Sequence, residues 1–78
     1  MTDFNIKIEL DCRGLKCPMP IIKTRKKIQD LVSGEILKLI STDPGSINDI
    51  NAWARRTGNT IAREDHTHGE FVFIIIKN

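Results

Sequence analysis

Aromatic residues are scarce: the chain has no tyrosine, one tryptophan and three phenylalanines in 78 residues. Proteins that bind single-stranded nucleic acid stack bases on exposed aromatic rings, and with Phe71 and Phe73 set in an apolar strand few rings remain for that use. Long apolar runs are missing too. None approaches the 18 or more residues of a membrane span, and Met1 to Asp11 carries acids where a secretory signal would be basic and then apolar. A cytoplasmic protein with no membrane partner is expected. Five glycines and three prolines, beside 40% hydrophobic and 28% charged residues, exclude collagen-like, low-complexity and disordered chains. Cysteine is limited to Cys12 and Cys17. Without an export signal, such a pair reads as reactive thiol or metal ligand rather than as a disulfide framework. Neither a glycine-rich phosphate loop nor a Ser/His/Asp set can be assembled, and no cofactor is called for. A chain of this length hides only about 60% of its extended surface on folding, so one domain spanning 1–78 is expected, with no linker or repeat.

What is present is unevenly placed. Residues 12–29 hold six basic residues (Arg13, Lys16, Lys23, Arg25, Lys26 and Lys27) and no acid, so that segment is +6 and the rest of the chain −4. A basic patch of this size points to an anionic partner, the plainer alternative being a solvated outer helix face.

Residues 5–11 alternate Ile6, Ile8 and Leu10 with Lys7 and Glu9, the period of a half-buried strand. After the turn Arg13-Gly14-Leu15-Lys16, Ile21, Ile22, Ile28, Leu31 and Val32 recur at helical spacing from Cys17 onward, with Lys23, Lys26 and Lys27 opposite, and Gly34 ends the helix. Residues 35–42 form a second strand, dense enough in apolar residues to be buried on more than one face. Asp43-Pro44-Gly45-Ser46 opens a second helix with Ile47, Ile50, Trp53 and Ala54 on one stripe, closed by Gly58. Residues 59–65 and 70–77 are a third and a fourth strand joined by the polar turn His66-Thr67-His68-Gly69. The order β-α-β-α-β-β with right-handed crossovers predicts an α+β two-layer sandwich, a four-stranded mixed sheet with two helices on one face. Phe71 to Ile76 is apolar on both faces, which places the fourth strand inside the sheet and the third at an edge.

The chemistry lies in Cys17-Pro18-Met19-Pro20. A thiol stands where a strand has ended and a helix begins, with Cys17 as the expected N-cap and Pro18 in the first helical position, where its missing N–H costs nothing. Pro20 removes a second free N–H, leaving the Met19 amide as the local donor to the Cys17 sulfur. The turn is rigid and aims the sulfur outward. A helix amino terminus together with Arg13 and Lys16 should favour thiolate, so the thiol is expected to react near neutral pH.

The run Leu10-Asp11-Cys12-Arg13-Gly14-Leu15-Lys16-Cys17-Pro18-Met19-Pro20 resembles the TusA/SirA-like sulfur-carrier family, whose hallmark is Cys-Pro-x-Pro at the start of the first helix. The pairs Asp43-Pro44 and Asp49-Ile50 also resemble the family pattern. This resemblance implies strand order 1-2-4-3 and a motif cysteine that accepts sulfane sulfur as a persulfide and relays it to a partner. It further implies a sulfur-donor protein, a cysteine desulfurase or rhodanese-like protein, and a sulfur-acceptor protein. The downstream use would be tRNA thiolation, molybdenum-cofactor sulfuration or sulfur-compound metabolism. The protein would be a sulfurtransferase-type carrier rather than a stand-alone enzyme. Lys23, Arg25, Lys26 and Lys27 are then the expected docking surface for acidic partners.

Cys12 has two readings, a buried small hydrophobe on the core side of the first strand or a resolving thiol that forms a disulfide with Cys17. Zinc is not expected, because Cys12 and Cys17, and His66 and His68, match no common ligand spacing. Met19 is a partner contact or a half-buried helix residue, and Trp53 belongs to the core or its rim. Two other functions remain open on residues alone: a thiol redox regulator using Cys12 and Cys17, and a small nucleic-acid-binding module. Against the latter stands the shortage of rings, so direct nucleic-acid binding is not expected.

Overall fold

In the computed structural model, which describes residues 4–78, the elements run β1 (Ile6–Cys12), α1 (Met19–Ile28), β2 (Ile36–Ser41), α2 (Gly45–Thr57), β3 (Thr60–Thr67) and β4 (Glu70–Ile76). The first three residues of the expected 1–78 domain lie outside the described range. The sheet order is β1-β2-β4-β3, with β1 parallel to β2 and both other pairs antiparallel. A single crossover through α1 makes the parallel pair, as parallel strands require, whereas β3 and β4 close as a hairpin.

Register explains the burial. Leu37 and Leu39 of β2 stand beside Ile75 and Phe73 of β4 and beside Ile8 and Leu10 of β1. This face meets Ile28 of α1 and Ile50, Trp53 and Ala54 of α2 in one core. Leu37, Leu39, Phe73, Ile75 and Ile50 have no exposed surface. Ile40 and Ile74 lie on the opposite face and are still at least 90% covered, which is why both central strands are apolar throughout.

Three local expectations need correction. First, α1 stops at Ile28 rather than at Gly34. Asp30 and Leu31 donate to the carbonyls three residues back, at 3.0 and 3.1 Å, so a tight turn continues the spacing that the helix began. Leu31 still reaches the core from that turn, but Val32 is 67% exposed, and on the helix Ile22 is 45% exposed. Second, a bulge at Lys7 sets Ile6 opposite Ile36 but Ile8 opposite Leu37, so Ile6 leaves the face that Ile8 and Leu10 share. Third, β3 runs through His66 and Thr67, and the turn is only His68-Gly69, both with positive φ (53° and 77°), as a two-residue hairpin loop demands.

Candidate functional site

Parallel pairing brings the carboxyl ends of β1 and β2 side by side, and each strand is followed by a loop that starts a helix. The crevice beyond such strand ends is where open α/β sheets carry their ligands. The Gly14 amide donates to Thr42 Oγ1 at 2.8 Å and joins the two loops. The Cys17 amide donates to Asp43 Oδ2 at 3.1 Å, fixing the thiol-bearing residue against the second loop. Asp43 is itself held: its amide donates to Ser41 Oγ at 3.2 Å, and its carbonyl accepts from Ser46 Oγ at 2.6 Å. A side chain at Gly45 would stand 3.1 Å from Asp43 Oδ2 and 3.7 Å from Cys17 Cβ, so the absence of one lets α2 begin directly beneath the thiol.

The structure corrects the expected capping of α1. The N-cap is Pro18, not Cys17, and no side chain caps the helix. The Met19 amide donates to the Lys16 carbonyl at 2.9 Å, not to the Cys17 sulfur. With Pro18 and Pro20 lacking N–H groups, no first-turn amide down to Pro20 is directed at the sulfur.

The sulfur instead donates. Cys17 Sγ lies 3.0 Å from Asp49 Oδ2, a carboxylate one turn into α2. That hydrogen bond, the partial desolvation of the thiol and the negative charges of Asp49 and Asp43 all push the Cys17 pKa up from its ordinary value, the hydrogen bond most of all. The expected lowering by Arg13 and Lys16 does not occur, and for Arg13 the reason is visible. Its guanidinium binds Asp11 through two nitrogens, at 2.9 and 2.8 Å, and approaches Glu70 at 3.7 Å. This pairing holds the Asp11 carboxyl at about 2 and leaves little of the Arg13 charge for the thiol.

Cys17 and Met19 are exposed, whereas Cys12, opposite Ser41 in the sheet, has no exposed surface. Burial pushes the Cys12 thiol up, with Lys23 drawing it back in part. Pro20 is buried together with Thr24 and Ile28, the stripe that α1 turns inward. Lys23, Arg25, Lys26 and Lys27 are exposed, and among the described residues none forms an ion pair. Lys26 and Gln29 border two shallow grooves, one completed by Leu10, Lys23, Lys27 and Asp30 and the other by Ile22 and Arg25. His66 is bonded to Glu64 and stands edge-on to Phe71. Asp43 and Asp49 are the site residues to which the motif reading gave no role. Their only signal was membership in the recurring Asp-Pro and Asp-Ile pairs.

The chain matches the family described as sulfurtransferase TusA over residues 8–77. It is 42% identical over all 78 residues to the sulfur carrier protein TusA of Allochromatium vinosum, with both chains fully covered. Against the sulfur carrier protein TusA of Pseudomonas putida, identity is 34% over 77 residues, 99% of this chain and 96% of that one. The putative sulfur carrier protein YrkF of Bacillus subtilis is 54% identical over 52 residues, which are 67% of this chain but 28% of that longer protein. Among crystal structures, the SirA-like protein from Desulfitobacterium hafniense superposes with a TM-score of 0.78, covering 88% of this chain and 95% of its own. At 21% identity this is a likeness of fold.

Proposed function

The chain belongs to the TusA sulfurtransferase family and is a sulfur carrier, and we propose that it carries the sulfur as a persulfide on Cys17. One observation carries this assignment: of the two thiols, Cys17 alone is exposed, on a turn between two prolines and a strand end, while Cys12 is sealed in the core. In the forward step Cys17 gives its proton to water and, as a thiolate, attacks the terminal sulfur of a donor persulfide. A new S–S bond forms on Cys17, the donor's S–S bond breaks, and the donor departs as a thiolate. An acceptor thiolate then repeats the attack on the Cys17 persulfide and takes the sulfur on. Neither step consumes an oxidant or a reductant.

A sulfur carrier implies a donor and an acceptor. We read the donor as a cysteine desulfurase or rhodanese-like protein, and the acceptor as one that serves tRNA thiolation, cofactor sulfuration or sulfur metabolism. Both would meet the basic side of α1, with Met19 and Ile22 (41% and 45% exposed) giving apolar contact close to the thiol. No helix among the described residues is long and apolar enough to cross a membrane. A reducing compartment such as the cytoplasm suits a free carrier thiol. The test is intact-mass spectrometry after incubation with a cysteine desulfurase and cysteine. A reducible gain of one sulfur atom, lost in Cys17→Ser and kept in Cys12→Ser, is expected; a gain that survives Cys17→Ser rules the assignment out.

A further inference from the structure

We propose that Asp49 governs the Cys17 sulfur: its carboxylate accepts the thiol hydrogen, holds the sulfur as a thiol in the free protein, and keeps a loaded sulfur from being lost to small thiols. The second half of this statement rests on the carrier reading; the first does not.

The geometry puts two carboxylates from two elements against one sulfur-bearing residue. Asp49 reaches from α2 to Sγ at 3.0 Å, and Asp43 reaches from the β2–α2 loop to the Cys17 amide at 3.1 Å. Asp49 projects from a fixed stretch of α2, since its helix neighbour Ile50 is fully buried, as is Ser46 one turn earlier. Two cations lie close in sequence, Lys16 and Arg13; Arg13 is already engaged by Asp11 and Glu70, and neither draws the Cys17 pKa down. The start of α1 supplies no compensating donor, since Pro18 and Pro20 have no N–H and the Met19 amide is taken by Lys16. A thiolate formed at Cys17 would lose its bond to Asp49 and face a like charge at hydrogen-bond distance. The raised Cys17 pKa follows from these contacts.

For a carrier this arrangement has a direct use. In thiol–disulfide exchange, a sulfur of higher pKa is the stronger nucleophile per thiolate and the poorer leaving group. Unproductive discharge begins when a small thiolate attacks the terminal sulfur of the Cys17 persulfide. A bond forms between those two atoms, the S–S bond to Cys17 breaks, and Cys17 leaves with the electron pair and then takes a proton from water. Negative charge builds on Sγ during that step, beside Asp49, and the carboxylate opposes it; transfer to an acceptor meets the same opposition unless the acceptor's own contacts draw Asp49 off the sulfur.

The experiment compares the parent protein with Asp49→Asn and with Asp49→Ala, which removes the carboxylate without adding an N–H donor. The rate of iodoacetamide labelling of Cys17 is followed by mass spectrometry across pH. Both variants should move the midpoint of the profile to lower pH. Tenfold more thiolate per unit, offset by the falling nucleophilicity of a weaker base, gives about a threefold to fourfold faster reaction at pH 7 for each unit moved. Asp49→Glu, which keeps the carboxylate, should stay nearer the parent. Profiles of Asp49→Asn and Asp49→Ala that superimpose on the parent's would overturn the proposal. That reading is made on unloaded protein, so it decides on Asp49 even if no sulfur is ever loaded, an outcome that would sink the carrier assignment instead. Where the parent loads, discharge of its persulfide to excess glutathione should be faster in both variants; equal discharge with a shifted profile overturns the retention half.

Discussion

Cys12 and Cys17 are five residues apart and live in different surroundings. Cys12 faces the core from the last position of β1, where alternation after Ile8 and Leu10 puts it, while Cys17 stands beyond the strand end in contact with water. Cys12→Ser should therefore destabilise the fold by about 1–3 kcal/mol, the cost of burying a hydroxyl without a designed partner. Cys17→Ser, at an exposed position, should stay within about 0.5 kcal/mol. Urea unfolding of the two variants measures both. The exposed place of the Cys17 thiol just ahead of α1 was legible in Cys-Pro-x-Pro, because the prolines dictate where a helix can start. Its acidity was not. Arg13 and Lys16 are close in sequence, but Arg13 spends its charge on Asp11, and the residue that bonds the sulfur lies 32 positions away. Counting nearby charges along a chain misses partners that only the fold brings in.

The two helices were legible to different degrees for a related reason. On α2, burial of Ile50, Trp53 and Ala54 followed the expected stripe, and Gly58 closes it with a left-handed φ of 78°. On α1 the apolar pattern outran the helix, since the turn after Ile28 keeps three-residue spacing and still delivers Leu31 to the core. The end of α1 is secured from across the fold, by Lys77 Nζ donating to the Ile28 carbonyl at 2.9 Å. Arg25, Lys26 and Lys27 occupy the last turn, where cations also suit the helix dipole, so the cluster has a local use besides any partner. The docking role is separable by experiment. Replacing Lys26 and Lys27 by Glu should slow sulfur transfer from an acidic donor by about tenfold at low salt, with less effect at high salt, through slower association. Iodoacetamide labelling of Cys17 should be unaffected, because neither lysine contributes to the raised pKa of the thiol. A transfer rate equal to the parent's removes α1 as the docking surface.

At the scale of the whole molecule, the apolar character of β4 on both faces foretold its place between β2 and β3, and the observed order β1-β2-β4-β3 follows. The bulges at Lys7 and Ala62 were hidden, because a single extra residue in a strand leaves no compositional trace. The sheet order gathers the Cys17 thiol, both loops and both helix starts at one end, beyond β1 and β2. The other functions considered from sequence fit this frame less well. A redox pair would need Cys12 to emerge from the core, and base stacking would need rings other than the buried Trp53 and Phe73. The most direct test of the account follows labelled sulfur through a complete relay. Protein loaded with labelled sulfane sulfur from a desulfurase is freed of the donor and mixed with a thiol-bearing acceptor protein. The label should leave Cys17 and appear as a persulfide on the acceptor, with no label carried by Cys17→Ser. Label that reaches the acceptor equally well through Cys17→Ser, or that stays on the parent through every acceptor offered, would contradict it.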